Sequence, residues 1–207
     1  MPPPDFDPVS LRPGAEVAGW RVLRPWRQDG FSITWVVERG GERRLLRMAL
    51  RRPGSPGGLE RERFLEREAG ALRRVRHPGI LRLFEDGRWP EPVHGFRYLL
   101  LEYVEGVDLL GIQRPDTTAR QVLIVFSRIA QALDALHSEH VTHGSIRVEN
   151  ILLRKPDDAP VLVDFSRADW PGNPFPPPWE EPPRGPEGLG ELAGLLLPAV
   201  PGKRFTH

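Results

Sequence analysis

The stretch His143–Leu153 constrains the fold of this chain more than any other. It runs His-Gly-Ser-Ile-Arg-Val-Glu-Asn and then Ile-Leu-Leu, so a polar loop leads directly into an apolar triplet. A short apolar run bounded by turn residues is typical of a buried strand. A second short strand is predicted at Val161–Val163, and Asp164-Phe165-Ser166 follows it. The sequence therefore predicts two short strands, each adjoining a polar segment.

The first half of the chain alternates apolar and polar residues, which predicts antiparallel strands. The predicted strands, which form a five-stranded sheet, are Trp20–Arg24, Ser32–Glu38, Arg43–Leu50, Leu81–Asp86 and Phe96–Leu101. Helical periodicity predicts a helix at Leu59–Arg76, with one face formed by Phe64, Glu68, Leu72 and Val75. A longer helix is predicted at Ala119–His140, with Asp116 or Thr117 as its N-cap and with a buried stripe of Val122, Phe126, Ile129, Leu133 and Leu136.

Several stretches, in this order along the chain, resemble motifs of the protein kinase family. His77–Leu83 is similar to the His-Pro-Asn-Ile-Val run of kinases, and Leu101–Gly106 resembles the hinge between their lobes. His143–Leu153 keeps the His, the Glu-Asn pair and the apolar triplet of the kinase catalytic loop, and Asp164-Phe165-Ser166 resembles Asp-Phe-Gly. The resemblance implies an α+β, two-lobed kinase-like fold. Its N-lobe would hold a five-stranded antiparallel sheet plus one helix, and its C-lobe would be reduced and mostly α.

The catalytic loop departs from the family at one decisive position. Ser145 replaces the catalytic Asp, and a kinase needs that carboxylate to orient the substrate hydroxyl and take its proton. The resemblance implies that Asn150 and Asp164 are the metal ligands if a magnesium nucleotide binds. It therefore implies no catalytic residue, and ATP with Mg²⁺ only as a conditional cofactor.

The phosphate-gripping lysine of kinases is also replaced. Arg47 stands at that position, and no lysine precedes Lys155. Glu68 matches the glutamate that pairs with this lysine, so an Arg47–Glu68 pair could brace the small lobe without nucleotide. Ordinary surface roles for both residues remain the alternative. Asp29, in a turn that retains only Gly30 of the glycine-rich loop, would repel phosphate there.

Adenine would meet the backbone of the hinge in a kinase. By the resemblance, the backbone groups of Glu102 and Val104 would make this contact if nucleotide binds. Every chain has such backbone groups, so this expectation discriminates little.

The predicted organisation has four parts. Residues 1–14 form a flexible, proline-rich arm, 15–101 the N-lobe, 102–106 the hinge and 107–207 a truncated C-lobe. Prolines crowd 170–186, the activation-segment region, where they favour extended, irregular structure. The apolar run Leu189–Leu197 is expected to be the stub of the next helix.

Composition excludes several classes of function. The net charge of +1 marks no nucleic-acid or membrane surface. The absence of cysteine excludes disulfides, thiol catalysis and thiolate metal sites. No signal peptide or membrane span is evident, so the expected location is the cytoplasm. The arginine-, glycine- and proline-rich usage indicates a bacterial origin.

Two functional hypotheses remain open. In the first, the chain is an inactive pseudokinase, a scaffold or regulatory module that binds a protein partner or a second copy through its incomplete C-lobe. In the second, it is an atypical nucleotide-dependent transferase that uses Asn150 and Asp164 as metal ligands. Gly144 fits the His-Gly-Asp loop of small-molecule phosphotransferases better than it fits protein kinases. Nucleotide binding without turnover lies between the two hypotheses.

Overall fold

The structure is a computed structural model that describes residues 6–114 and 116–175. The described chain divides into two units. The first contains residues 6–73 and 82–103, and the second contains 74–81, 104–114 and 116–175. Each unit has its own sheet, and an α-helix accompanies each sheet.

The first unit is built on an antiparallel sheet of six strands, not the five predicted. In chain order the strands are β1 (Glu16–Val17), β2 (Trp20–Gln28), β3 (Ser32–Arg39), β4 (Glu42–Ala49), β5 (Leu83–Trp89) and β6 (Phe96–Glu102). Their spatial order is β1-β2-β3-β4-β6-β5. The prediction missed β1 because two residues are too few to show an alternating pattern.

Two tight hairpin turns set the register of this sheet. Ala18 and Gly19 join β1 to β2 with φ of 51° and 77°, and Gly40 and Gly41 join β3 to β4 with φ of 58° and 82°. Positive φ at both central residues matches the right-handed twist of the flanking strands. Glycine adopts this conformation at little steric cost.

The two faces of the sheet are buried differently. One face carries an apolar cluster of Val17, Trp20, Val22, Ile33, Trp35, Val37, Leu46, Met48, Phe96, Tyr98 and Leu100. Because successive side chains alternate between faces, the residues between these on β3 and β4 lie on the opposite face. These include Ser32, Thr34 and Arg47, all of them buried.

The helix of the first unit, α1 (Gly58–Arg74), buries the predicted face. Phe64, Glu68 and Leu72 are all buried along it. The helix ends two residues earlier than predicted, before His77-Pro78, because the residue preceding a proline disfavours helical geometry. Arginine–carboxylate pairs link the helix to the sheet: Arg88–Glu62 at 2.7 Å and Arg97–Glu66 at 2.9 Å.

The start of β5 corrects a second prediction. Leu81 was expected to begin this strand, but its N–H donates to the carbonyl of Leu162 at 3.0 Å, within the second unit. The N–H of Leu162 in turn donates to Gly79 at 2.8 Å. A hydrogen bond across some eighty residues leaves no local pattern, so the strand boundary could not be predicted from periodicity.

The stretch predicted as a flexible arm packs against the sheet from Phe6 onward. The Phe6 ring lies edge-on to Trp89 at 4.8 Å and to Phe96 at 5.5 Å. Asp7 caps a short 3₁₀ turn at Pro8–Ser10. Leu11 packs against the same apolar cluster, and the partners of Phe6 lie far along the chain.

The second unit contains α2 (Ala119–Ser138) and a three-stranded antiparallel sheet of β7 (Gly106–Asp108), β8 (Ile151–Arg154) and β9 (Ala159–Leu162). Neither predicted cap is correct, since Thr118 is the N-cap and forms a reciprocal capping box with Gln121. The buried positions of α2 are Val122, Val125, Ile129, Ala132, Leu133 and Leu136, whereas Phe126 is half-buried. Most of the proline-rich region 170–186 and all of Leu189–Leu197 lie outside the described residues.

Candidate functional site

Arg47 occupies the middle of β4, on the sheet face opposite the apolar cluster. Its cross-strand neighbours are Thr34 on β3 and Leu99 on β6. It is only 7 % exposed, so it is not the solvated strand arginine that the sequence left as an alternative. Glu68, which is fully buried on α1, is paired with it as predicted.

Three nitrogens of the Arg47 guanidinium each contact a different side chain. Nη1 donates to Glu68 Oε2 at 2.7 Å, Nη2 to Asp29 Oδ2 at 2.8 Å, and Nε to Ser32 Oγ at 2.8 Å. A buried guanidinium is tolerated when its charge is paired and its N–H groups have acceptors. We call Asp29, Ser32, Arg47 and Glu68 the arginine network. Asp29 and Ser32 were not predicted to belong to it.

Asp29 is held by its own turn as well as by Arg47. Its Oδ1 accepts hydrogen bonds from the backbone N–H groups of Phe31 and Ser32, both at 2.7 Å. The Ser32 hydroxyl lies 3.1 Å from Oδ2. An aspartate that accepts N–H groups two and three residues later forms a common turn motif, which stabilises the turn.

The turn that contains Asp29 is also fixed to α1. The rings of Phe31 and Phe64 stack with centroids 3.7 Å apart, and Arg61 Nε donates to the carbonyl of Gly30 at 3.1 Å. The N–H of Leu50 donates to the Phe31 carbonyl at 3.0 Å. These contacts, all within the first unit, therefore fix the position of the turn.

The arginine network does not fit a nucleotide phosphate. Two carboxylates contact one guanidinium, so the three charges sum to −1, and Coulomb repulsion opposes a further anion. Asp29 also takes the backbone N–H groups that a phosphate covered by the turn would need.

The loop that begins at His143 lies in the second unit and is organised around that residue. The N–H of Ser145 points to His143 Nδ1 at 3.3 Å, and His143 Nε2 lies 3.2 Å from the carbonyl of Val163. This pattern requires a neutral ring with its proton on Nε2. Burial lowers the pKa of His143 to about 4, which keeps the ring neutral near pH 7. His143 is therefore a structural residue.

Ser145 and Asn150 contact each other directly. Asn150 Nδ2 donates to the Ser145 carbonyl at 2.9 Å and to its Oγ at 3.0 Å. Ser145 is 7 % exposed and Asn150 is fully buried. Asn150 Oδ1 is buried and has no hydrogen-bond partner among residues 6–114 and 116–175. An unsatisfied buried carbonyl oxygen is costly, and such atoms often mark a ligand position.

Gly144 is required by the packing of this loop. Its φ is +72°, and a Cβ there would lie 2.1 Å from the carbonyl oxygen of Arg167. The arginine that kinases carry at this position cannot be accommodated against that backbone. The Gly144 substitution is thus matched to the close approach of the following segment.

Asp164 stands directly after β9 in an unusual backbone conformation. Its φ of 64° and ψ of 70° are left-handed, and it precedes a 3₁₀ turn at Phe165–Arg167. Aspartate is among the few residues that tolerate this region, and strained backbone clusters at functional sites. The Phe165 ring is fully buried, 4.4 Å from the His143 ring. The charge of Asp164 acts on His143, where it partly opposes the lowering of the pKa.

The two predicted adenine-binding positions are occupied by ordinary backbone structure. The N–H of Glu102, at the end of β6, donates to the carbonyl of Arg82 at 2.9 Å. Val104 belongs to the second unit and is 1 % exposed. Neither observation tests adenine binding, which stays a prediction.

The second unit contains two side-chain oxygens of the kind that ligate magnesium, at Asn150 and Asp164. Magnesium is held by one or two protein oxygens together with waters and phosphate, so it needs no cage of protein ligands. The unpartnered Oδ1 of Asn150 and the carboxylate of Asp164 are oxygens of this kind.

Within residues 6–114 and 116–175, no three His, Cys, Asp or Glu side chains gather into a metal-binding group. In the same ranges no helix is long and apolar enough to cross a bilayer.

Comparisons with known proteins agree with this architecture. The family model described as protein kinase domain matches residues 58–171, more than half of the chain. The serine/threonine-protein kinase PknD of Mycobacterium tuberculosis is 30 % identical over 158 residues, which are 75 % of this chain and 23 % of PknD. PknF of the same species is 27 % identical over 177 residues, covering 80 % of this chain and 36 % of PknF.

A solved structure shows the same fold. The PknI kinase domain of Mycobacterium tuberculosis matches with a TM-score of 0.56 at 23 % identity, over 76 % of this chain and 63 % of that domain. The chain belongs to the protein kinase domain family, and its fold is the predicted α+β kinase-like fold. It spans about a quarter of PknD and about a third of PknF. Protein kinases use ATP and Mg²⁺.

Proposed function

We propose that this chain is a pseudokinase, a binding or regulatory module that does not transfer phosphate. The observation that carries the proposal is Ser145 at the position of the catalytic Asp. Its hydroxyl is nearly buried and lies 3.0 Å from Asn150 Nδ2. A hydroxyl is too weak a base to take a proton near neutral pH, and losing a general base lowers rates by about 10²- to 10⁴-fold.

The arginine network supports the same conclusion independently. A kinase lysine must contact phosphate, whereas Arg47 contacts Glu68, Asp29 and Ser32. Its planar fork serves bidentate, multi-partner contacts better than a single point contact to phosphate. The network would brace the first unit with no nucleotide present.

The decisive experiment compares the wild type with Ser145→Asp in a phosphoryl-transfer assay with radiolabelled ATP and generic protein substrates. We expect no transfer above blank from the wild type. We expect at most slow transfer from Ser145→Asp, because the arginine network is unchanged. Wild-type transfer that disappears in both Asn150→Ala and Asp164→Ala would overturn the proposal.

The partner is proposed to be a protein or a second copy of the chain that binds the second unit. Leu123 and Ile124 on α2 are 65 % and 41 % exposed, and exposed apolar side chains favour association. Sedimentation velocity of the wild type and of Leu123→Gln/Ile124→Gln would test self-association. A wild-type dimer that the double variant abolishes supports a second copy, and identical monomers exclude it.

A second candidate function is an atypical nucleotide-dependent transferase. The unsatisfied Oδ1 of Asn150 favours it, because this oxygen is available to a metal. Asn150 and Asp164 would hold Mg²⁺, which would supply charge neutralisation for bound phosphates. Melting temperatures with and without magnesium ATP test the site, since a ligand that binds the folded state raises stability by mass action. A rise that needs magnesium and vanishes in Asn150→Ala and Asp164→Ala supports this candidate, and no shift excludes it.

A further inference from the structure

The turn at Asp29 contains the parts of an anion site, together with an anion that fills it. Two backbone N–H groups, those of Phe31 and Ser32, converge on Asp29 Oδ1 at 2.7 Å. The Arg47 guanidinium and the Ser32 hydroxyl reach Oδ2 at 2.8 Å and 3.1 Å. Successive backbone N–H groups beside a fixed cation are the usual donors to a bound phosphate.

We propose that the Asp29 carboxylate acts as a built-in substitute for an anionic ligand and keeps this site closed to phosphates. The ligand class that it replaces is a phosphate or pyrophosphate group. The proposal goes beyond the proposed function, because it concerns only anion binding in the first unit. It requires neither the metal-ligand residues of the second unit nor any transfer chemistry.

Charge balance explains why the Asp29 carboxylate is enough to exclude a phosphate from this site. Glu68 and Asp29 together offset more than the single charge of Arg47, so these three groups by themselves offer another anion no net attraction. Neutralising Asp29 alone would leave Arg47 and Glu68 balanced. The backbone N–H groups and the Ser32 hydroxyl would then face only a neutral acceptor, which a phosphate can displace because charged acceptors form the stronger hydrogen bonds.

Fixation of the turn explains why the Asp29 carboxylate stays in its position. Phe31 stacks on Phe64, and Arg61 donates to the carbonyl of Gly30, so the turn is anchored to α1 by contacts that do not involve Asp29. An anion must therefore displace the carboxylate itself, because the turn cannot simply lift away without losing these contacts. Because these donors are already in position, a phosphate could bind to them with little reorganisation once the charge of Asp29 is removed.

The test is titration of the purified chain with inorganic pyrophosphate without magnesium, by calorimetry at constant ionic strength. The wild type should show no saturable binding at millimolar pyrophosphate. Asp29→Asn keeps the shape but replaces the carboxylate with a neutral, weaker acceptor that pyrophosphate can displace, so it should bind at least about tenfold more tightly than the wild type. Asp29→Asn/Arg47→Gln should lose this binding.

Glu38→Gln is the matched control. It removes a carboxylate from another arginine of the same unit, at the exposed Arg21–Glu38 pair of 2.8 Å. Equal binding by Glu38→Gln and Asp29→Asn would mean a non-specific charge effect and would overturn the proposal. A folded Asp29→Asn, verified by a cooperative urea transition, that binds no pyrophosphate would overturn it as well.

A wild-type measurement keeps the proposal testable if Asp29→Asn fails to fold. The amide signals of Phe31 and Ser32 in ¹⁵N-resolved spectra report directly on the N–H groups that Asp29 occupies. They should not move when millimolar pyrophosphate is added. Saturable changes in the chemical shifts of both signals would show that pyrophosphate reaches the site and that the Asp29 carboxylate does not exclude it.

Discussion

The arginine network of the first unit and the His143–Asn150 loop of the second differ in how completely their polar groups are satisfied. In the network, each of the three contacts of Arg47 is made to an acceptor of the chain itself. In the loop, Asn150 donates to Ser145 but leaves Oδ1 buried and unpartnered. The network is thus a closed set of internal contacts, whereas the loop holds an oxygen suited to a ligand.

This difference has a physical reason. A buried charge must be paired within the fold whether or not a ligand binds, and Asp29 and Glu68 pair the charge of Arg47. A neutral amide oxygen costs less to leave unsatisfied than a charge does. The fold can therefore tolerate an unsatisfied Asn150 Oδ1 more easily than an unpaired guanidinium at Arg47.

The largest effect is expected where the network is broken. Arg47→Met leaves the carboxylate of Glu68 buried without the guanidinium, so it should lower the free energy of unfolding by about 3–5 kcal/mol. Arg21→Met, at the exposed Arg21–Glu38 pair, should cost less than about 1 kcal/mol. Urea unfolding of both variants measures the difference. Equal losses would mean that Arg47 is no more structural than a surface arginine.

The second effect is a pH dependence that belongs to the loop. Because burial lowers the pKa of His143 from 6.5 to about 4, the unfolded chain takes up this proton first. The contribution to stability is complete above pH 6.5 and falls as the pH drops toward 4, by about 3 kcal/mol in total. Urea unfolding between neutral pH and pH 4 should show this slope.

Two histidine variants test whether His143 causes this pH dependence of the free energy of unfolding. His143→Gln should lose most of it, whereas His94→Gln, at an exposed histidine, should keep it. A slope that survives in His143→Gln would place the titration on other groups. The loop would then lack the neutral, buried histidine that its hydrogen bonds require.

Two glycines of the second unit provide the next comparison. Gly144 and Gly172 have nearly equal φ, +72° and +75°, but only Gly144 has a backbone carbonyl where a Cβ would go. Gly144→Ala should cost about 2 kcal/mol or more, and Gly172→Ala about 1 kcal/mol from backbone strain alone. Thermal and urea unfolding of the two variants separate the clash from the strain. Similar losses would show that the loop can move away from Arg167.

The smallest effects compare one serine from each region. Ser32→Ala removes the acceptor of a charged nitrogen, Arg47 Nε, and should cost about 2 kcal/mol. Ser145→Ala should cost about 1 kcal/mol or less, since Asn150 keeps its bond to the Ser145 carbonyl. Urea unfolding measures both variants, and the reverse order would contradict the contrast between a charged network and a neutral loop.

Local sequence was sufficient to predict the motifs and the longer elements, but not the shortest strands, β1 and β7, or the ends of the elements. The stripe of Phe64, Glu68 and Leu72 has helical spacing, and it is buried as predicted. The two-residue β1 and the exact N-cap of α2 were missed. A two-residue strand has no period, and Asp116, Thr117 and Thr118 are all competent caps, so only the actual hydrogen bonds select Thr118.

The sequence by itself determined the family and the two substituted positions, Ser145 and Arg47, because these follow from residue identity and spacing alone. It left the pairing of Arg47 with Glu68 as one of two alternatives. Only the tertiary structure decided that Glu68, Asp29 and Ser32 contact Arg47, that Gly144 accommodates the backbone of Arg167, and that Asn150 Oδ1 has no partner among the described residues. Each of these depends on which polar atoms meet across the fold, and burial makes that geometry, not composition, set their energies.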